Sequence, residues 1–302
     1  MGKAKMVFLA TRPWSFPFTV MVVLIASLLP LLEGLKVSWL MVVVAAAGSV
    51  LLHAMVNLLN DYFDYKRGID RPGAGTVEYR PHPIVHNIMT PQATFGFALS
   101  LGLIGLLLAG LAALTTRPLA IVLGLIGFVV AFLYTGPPLP LKYNALGEVG
   151  VYIAWGTLIP LGAYYMACGE LGILPVIALL PLSLMIVAVL AANNIRDIEV
   201  DKASGIRTLE VVLGFDRSRK LFKALIYAAY ASAFTAAVFN RFLLIPAALP
   251  LITLPDADKV ARMFDQGEAP PDADPRVAGV LQKYATLYLI GLIVSVILNY
   301  IM

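Results

Sequence analysis

Two acidic motifs stand at the polar ends of long apolar stretches of the chain. The first contains Asn57, Asp61 and Asp64, and the second contains Asp197 and Asp201. Residues three or four positions apart share one face of a helix, so each motif can direct its oxygen atoms to one side. Like charges one turn apart repel, and a carboxylate close to lipid is costly. A hard divalent cation such as Mg²⁺ relieves both costs and still accepts phosphate oxygens from a substrate.

The choice of Mg²⁺ follows from the ligand types that the chain offers. One cysteine and three histidines are too few for a thiolate zinc site or a multi-histidine centre. We therefore expect one or two Mg²⁺ ions held by oxygen. The predicted metal ligands are Asn57, Asp61, Asp64, Asp197 and Asp201. The alternative interpretation, solvated acids paired with nearby lysines and arginines, is weakened because both motifs are led by asparagine.

The elements that carry these motifs are predicted to be membrane helices. The chain is 60% hydrophobic and 13% charged, with a mean hydropathy of +0.86, whereas soluble domains are about 45–50% apolar and about 25% charged. Runs of about 20 apolar residues can cross a bilayer as helices. We predict an all-α, single-domain membrane protein over 1–302 with nine spans, at about 13–32, 37–60, 91–116, 118–141, 149–169, 171–195, 224–240, 242–255 and 284–302.

The distribution of charge predicts the orientation of this bundle. With nine spans and the N-terminus in the cytoplasm, only Lys36, Arg117 and Arg241 of the 22 basic residues would lie outside, as the positive-inside rule favours. Only Glu33 and Glu170 of the 18 acidic residues would lie outside. We therefore expect the N-terminus and the active-site loops on the cytoplasmic side and the C-terminus outside. The segments 57–70 and 193–202 form a pseudo-repeat of helix-ending acidic motifs, which suggests two related halves.

Both motifs resemble the paired Asp-rich motifs of the UbiA superfamily of intramembrane prenyltransferases. Asn57-x3-Asp61-x2-Asp64 is similar to the first and Asp197-x3-Asp201 to the second, and the resemblance runs from Arg12-Pro13-Trp14-Ser15 through the last span. It implies helices around a central cavity with the active site at the cytoplasmic side. It also implies that Mg²⁺ binds a prenyl diphosphate between the motifs, with membrane lipid as the surroundings and no nucleic-acid partner.

Two further stretches resemble the branch that prenylates 1,4-dihydroxy-2-naphthoate for menaquinone and vitamin K. They are 134–148 and 193–209, whereas 82–87 departs from that branch. The resemblance implies transfer of a polyprenyl group, geranylgeranyl or longer, to an aromatic quinone precursor. Acceptors that stay open are 4-hydroxybenzoate, homogentisate, a chlorin or haem ring, and glyceryl phosphate. From other classes, a CDP-alcohol phosphotransferase would need one continuous acidic motif, and a cation-coupled transporter would place its charges at mid-membrane.

The resemblance also assigns roles around the diphosphate and the acceptor. Basic side chains neutralise the leaving group, and an aromatic face can stabilise a prenyl cation. His53 could assist proton transfer or contact the acceptor, or it could bond a neighbouring helix. Arg12 could bind an acceptor carboxylate, or it could anchor the topology. The predicted catalytic residues are Asp64, Lys142 and Tyr134. The predicted substrate-binding residues are Asn60, Arg67, Arg80, Asn193, Asn194, Lys202, His53 and Arg12.

Overall fold

The computed structural model describes residues 2–72, 77 and 80–302. Within these ranges the regular secondary structure is helical, with one isolated bridge between Asn144 and Arg207. The first helices in chain order are α1 (Lys3–Ala10), α2 (Phe16–Leu32), α3 (Trp39–Lys66), α4 (Pro91–Thr115), α5 (Ala120–Leu133), α6 (Gly147–Cys168) and α7 (Leu174–Arg196). The others are α8 (Ile198–Ala203), α9 (Leu209–Leu213), α10 (Phe215–Ser232), α11 (Leu244–Ala248), α12 (Leu254–Ala261) and α13 (Ala273–Ile301).

Seven helical segments in the described part of the chain are long and apolar enough to cross a membrane. The prediction of an all-α membrane protein is confirmed, whereas the count of nine spans stays a prediction. The run at 118–141 is regular helix only over α5, which has 14 residues. The run at 242–255 is split into short helices, where Pro246 and Pro250 each remove a backbone donor.

The outer surface of the bundle is apolar in the way that lipid requires. Along α4, Leu103, Leu107, Leu111 and Leu114 are all exposed and recur every three or four residues. This spacing places them in one stripe on the helix surface. Such a stripe would be an aggregation hazard in water but matches lipid tails, so the protein is an integral membrane protein.

Around the interior, α2 packs against α3, α6 and α13, and α7 packs against α10 and α13. The core between them includes Tyr284 and Tyr288, whose rings stack with centroids 6.4 Å apart. The Tyr288 hydroxyl donates to the Ala178 carbonyl at 2.9 Å. This hydrogen bond satisfies a buried polar group and ties α13 to α7, the helix that leads to the second acidic motif.

The two acidic motifs sit on different local structures. Helix α3 continues to Lys66, so Asn57, Asp61 and Asp64 lie on one buried side of a single helix. Helix α7 stops at Arg196, and α8 starts after a break at Asp197. Asp197 and Asp201 are therefore not on one continuous helix, and each has its own surroundings.

Candidate active site

A cavity of about 780 Å³ opens among α2, α3, α6, α7 and α13. Volumes of this size are typical of ligand sites. Its apolar walls include Phe18, Leu52, Trp155 and Leu281. Nine of the predicted site residues line it: Arg12, His53, Asn57, Asn60, Arg80, Tyr134, Lys142, Asn193 and Asn194.

Asp61 is fully buried and is held by the guanidinium groups of Arg12 and Arg80, which both line this cavity. Arg80 donates to both carboxylate oxygens, at 3.0 Å and 2.8 Å, and Arg12 donates to Oδ1. The two-pronged contact from Arg80 fixes the carboxylate plane as well as its charge. Both arginines line the cavity and Asp61 stands behind them, so these cations are the groups that an anionic ligand meets first.

Asn57 is anchored at the junction between α1 and α2. Its Nδ2 donates to the Thr11 carbonyl at 2.9 Å and lies 3.4 Å from the Ser15 hydroxyl. Arg12 bends the chain there with a positive φ of 59°. Because the nitrogen end of the amide is used by this junction, the oxygen end is the one left to serve as a metal ligand.

Asp64 is bound by two neighbouring residues of the loop after α5. Lys142 donates through Nζ to Oδ2 at 2.6 Å, and the Tyr143 hydroxyl donates to Oδ1 at 2.6 Å. Lys142 also donates to Asn60 Oδ1 at 3.0 Å. Burial by itself lowers the pKa of Lys142, but the Asp64 carboxylate outweighs it and holds that pKa above its usual value, so the ammonium stays charged.

The second acidic motif approaches the first at Lys142. Burial raises the pKa of Asp201 to about 7; Lys142 opposes this rise, and the charges of Asp197 and Asp64 add to it. Asp201 therefore lies within electrostatic reach of both Asp64 and Lys142, on the same side of the bundle. The side-chain donors of Asp64 and Asp201 are all oxygen, the ligand type that a divalent cation such as Mg²⁺ prefers.

Asp197 has a different partner. Arg196 donates to both of its oxygens, at 2.9 Å and 2.7 Å, and also to Asn193 Oδ1 at 2.8 Å. The same guanidinium pairs with Asp274, which α13 brings to the cavity wall. Asp274 is 77 residues from Asp197 in the sequence and follows no motif, so only the packing of α13 against α7 reveals it.

A further pair of buried groups, Asp70 and His82, lies next to Asp61. The ligand atoms of these three residues are within 4.8 Å of one another. However, His82 Nδ1 accepts from the backbone N–H groups of Ile84 and Val85, so its Nε2 carries the proton, 3.0 Å from Asp70 Oδ2. In this tautomer the imidazole has no lone pair for a metal and instead fixes the loop that carries Arg80.

His53 is part of a polar wall in the middle of the cavity. Its Nδ1 lies 2.8 Å from the Thr19 hydroxyl and its Nε2 lies 3.2 Å from the Ser15 hydroxyl. Trp155 donates to Thr19 at 3.1 Å and packs edge-on to the imidazole at 5.0 Å. The bond to a neighbouring helix is therefore made, and His53 also lines the cavity.

Two of the predicted substrate-binding residues are not among the described residues that line the cavity. The Arg67 guanidinium lies 4.1 Å over the Tyr143 ring, a cation–π contact that supports the loop holding Asp64. Lys202 is exposed on α8. Tyr143 is a contact that sequence reasoning missed, although it directly follows the predicted Lys142.

Comparison with known proteins places this geometry in context. The model of the UbiA prenyltransferase family matches residues 15–266. The chain is 36% identical over 262 residues to UbiA prenyltransferase domain-containing protein 1 of Danio rerio, covering 85% of this chain and 74% of that protein. It is 30% identical over 224 residues to 1,4-dihydroxy-2-naphthoate octaprenyltransferase of Bacillus subtilis, covering 73% and 70%.

Among solved structures, a UbiA homologue from Archaeoglobus fulgidus bound to GPP and Mg²⁺ superposes with a TM-score of 0.68. The alignment covers 96% of this chain and 99% of that one, at 14% identity. At that identity the likeness concerns the fold, and it extends over almost the whole of both chains.

Proposed function

The chain belongs to the UbiA prenyltransferase family, and from that premise we propose that it transfers a polyprenyl group from its diphosphate to an aromatic acceptor. The acceptor we favour is 1,4-dihydroxy-2-naphthoate or a similar quinone precursor. The observation that carries the proposal is one cavity lined by Arg12, Arg80 and Lys142, the cations that hold Asp61 and Asp64 of the first acidic motif.

The metal that suits this site is Mg²⁺, one or two ions. The residues that would hold it are Asn57, Asp61, Asp64, Asp197 and Asp201, whose donors are all oxygen. When bound, Mg²⁺ supplies a Lewis acid that draws charge from the diphosphate leaving group. Prenyl diphosphate and Mg²⁺ bound to the Archaeoglobus fulgidus homologue support this assignment.

Arg12, Arg80 and Lys142 would bind the diphosphate. They line the cavity and already hold Asp61 and Asp64, so a diphosphate between the two motifs would lie within reach of the same three cations. Fixed cations in a site of low polarity stabilise the charge that develops when the allylic C–O bond breaks. Tyr134 lines the cavity beside Lys142 and presents an aromatic ring to the prenyl cation.

The acceptor would lie against the polar wall of Ser15, His53 and Trp155, which all line the cavity. The Ser15 hydroxyl and the imidazole can bond phenolic oxygens, while Trp155 offers a flat apolar surface for a ring. The relationship to a naphthoate prenyltransferase of Bacillus subtilis supports a bicyclic acceptor of this kind. The apolar walls keep water from the reactive allyl group.

The cytoplasmic placement of the N-terminus, the acidic motifs and the active-site loops, with the C-terminus outside, is also part of the proposal. It rests on the distribution of basic residues, which concentrates them on the side of the bundle that holds both motifs.

The test is an Mg²⁺-dependent assay of the purified protein with geranylgeranyl diphosphate and a panel of acceptors. The panel contains 1,4-dihydroxy-2-naphthoate, 4-hydroxybenzoate, homogentisate and glyceryl phosphate. We expect prenylated naphthoate, and we expect Asp61→Asn and Asp197→Asn to abolish it while Asp216→Asn, at an exposed aspartate, does not. Undiminished activity in either site variant would refute the metal assignment. Cation flux into liposomes without prenyl diphosphate would favour a transporter instead.

A further inference from the structure

Two buried glutamates lie behind the cavity wall. Glu148 is in the first turn of α6 and Glu210 is in the first turn of α9. They are 6% and 1% exposed. Helix α9 belongs to the loop after the second acidic motif, so the two carboxyls join that loop to the membrane bundle.

These carboxyls have no cation beside them among the described residues. The polar side chain that bonds Glu148 is Asn194, whose Nδ2 donates to Glu148 Oε1 at 2.7 Å. If both were ionised, Glu148 Oε2 and both Glu210 oxygens would have no hydrogen-bond donor in the described part of the chain. Two neighbouring buried carboxylates cannot both keep a charge, and a single proton between them removes the repulsion and bonds one oxygen of each carboxyl to the other.

We propose that Glu148 and Glu210 share one proton and act as a positioning pair for the two asparagines of the cavity wall. The inference rests on the proposed prenyl transfer for its kinetic consequences. A carboxylate can only accept hydrogen bonds, so Glu148 directs the nitrogen of the Asn194 amide toward itself. The Asn194 oxygen must then lie at the opposite end of the amide, where Asn193 Nδ2 is 3.5 Å away.

From Asn193 the contacts continue into the site. Asn193 Oδ1 accepts from Arg196, which in turn holds Asp197 and Asp274. Asn193 and Asn194 both line the cavity. The pair therefore sets which end of each amide faces the prenyl diphosphate, although neither glutamate is among the described lining residues.

The charge balance of the pair sets its dependence on pH. Burial, followed by the charge of Glu148, raises the pKa of Glu210 to about 8. Among the described residues, the other ionisable group that interacts electrostatically with both glutamates is Tyr134, a phenol that carries no charge at neutral pH. The shared proton is thus present at neutral pH and is lost as the pH rises through about 8, when the second charge would force the carboxyls apart.

The experiment uses the full-length protein in detergent or nanodiscs and three variants: Glu148→Gln, Glu210→Gln and the double variant. Glu199→Gln, at an exposed glutamate on α8, is the matched control. We measure kcat and KM for geranylgeranyl diphosphate across pH, thermal unfolding, and the infrared C=O band of a buried protonated carboxyl, identified by its shift in heavy water.

The wild type should lose activity above about pH 8, where the shared proton is lost. Glu210→Gln should not show this loss, because the glutamine amide is a hydrogen-bond donor that does not titrate. Glu148→Gln permits either orientation of the Asn194 amide and should raise KM about tenfold, as expected for one lost charge-assisted hydrogen bond. Glu199→Gln should match the wild type in both respects. The positioning role would be overturned if both site variants kept the wild-type KM for geranylgeranyl diphosphate and the wild-type loss of activity above about pH 8.

The infrared band separates this inference from the proposed reaction, because it needs no turnover. It should be present in the wild type at neutral pH and absent from the double variant. If it persists there, or never appears in the wild type, the shared proton is refuted whatever the enzyme assay gives. If the wild type transfers no prenyl group while the band behaves as expected, the proposed function fails and the proton-sharing pair stands.

Discussion

At the residue scale, the first acidic motif is already neutralised by the protein itself. Asp61 is bonded by Arg12 and Arg80, and Asp64 by Lys142 and Tyr143. Buried charges need such partners, because removing one member of a buried pair costs about 3–5 kcal/mol. In the proposed reaction the same cations bind the diphosphate, so their loss should damage catalysis as well as folding.

Asp64→Asn should lower kcat about 100- to 1,000-fold, the range seen when one preorganised electrostatic group is removed. The amide cannot carry the charge that Lys142 and Mg²⁺ require. Single-turnover rates of prenyl transfer, measured at saturating prenyl diphosphate, would check this. Asp258→Asn, at an aspartate whose side chain is 40% exposed and lies outside the cavity lining, serves as the control, and a fall in both variants would indicate general instability instead.

Arg80→Lys should lower kcat/KM for the prenyl diphosphate at least about tenfold although the charge is kept. A lysine offers one ammonium in place of two N–H groups aligned on the two Asp61 oxygens. Arg276→Lys, which changes an arginine of an exposed ion pair with Asp272, is the control. Steady-state kinetics of the two variants would isolate the effect of the paired hydrogen bonds between Arg80 and Asp61. Equal kinetics for the two variants would contradict a role for the paired hydrogen bonds.

At the element scale, the segment between α10 and α13 is a series of short helices held against α13. Ser295 donates to the Phe242 carbonyl at 2.6 Å, and Gly291 lies against the backbone of α11. A Cβ on Gly291 would be 2.7 Å from Pro246 Cα and 2.9 Å from Pro246 N. Backbone atoms cannot turn aside as a side chain can, so this close approach requires glycine.

Gly291→Ala should therefore destabilise the protein by about 1–3 kcal/mol, the usual cost of overpacking. Gly279→Ala on the same helix has no heavy atom within 4 Å of the added Cβ and should be neutral or slightly stabilising. Thermal unfolding in one detergent would compare them. Equal midpoints would mean that α11 can move away from α13 at little cost.

At the scale of the whole molecule, charge and lipid contact divide the surface. The stripe of exposed leucines on α4 faces lipid, while Asp64 of the first acidic motif and Asp201 of the second both interact electrostatically with Lys142. This arrangement suits a water-borne or interfacial ring meeting a lipid-anchored diphosphate. It also makes the orientation of the protein testable.

In a Cys168→Ser background the chain has no thiol, so single cysteines report on sidedness. Lys36→Cys should react with an impermeant maleimide in intact cells. Glu268→Cys should react only after permeabilisation, because positive-inside bias places its loop in the cytoplasm. Both positions are exposed. The cysteine-free chain is the control, and the reverse labelling pattern would invert the topology.

Much of the site could be predicted because the residues are local in the sequence. Asn57, Asp61 and Asp64 share one helical face, and helix spacing alone predicts that. The surroundings of the second motif are not predictable in this way, because its helix breaks at Asp197. Spacing alone would place Asp197 and Asp201 on one helical face, whereas the break gives them different surroundings. The prediction that the two motifs lie close together comes from the UbiA resemblance, and the family match confirms that resemblance.

Composition, periodicity and short spacings already indicate a lipid environment, a helical fold and the two acidic motifs, because these are properties of neighbouring residues, and the motifs carry the resemblance to the family. The tertiary structure alone brought Asp274 to Arg196, Tyr143 to Asp64 and Glu210 to Glu148. These pairs are separated by 60 to 80 residues of chain. No local rule predicts them, since each depends on how distant helices pack, and packing is decided by the shapes of all the side chains between them.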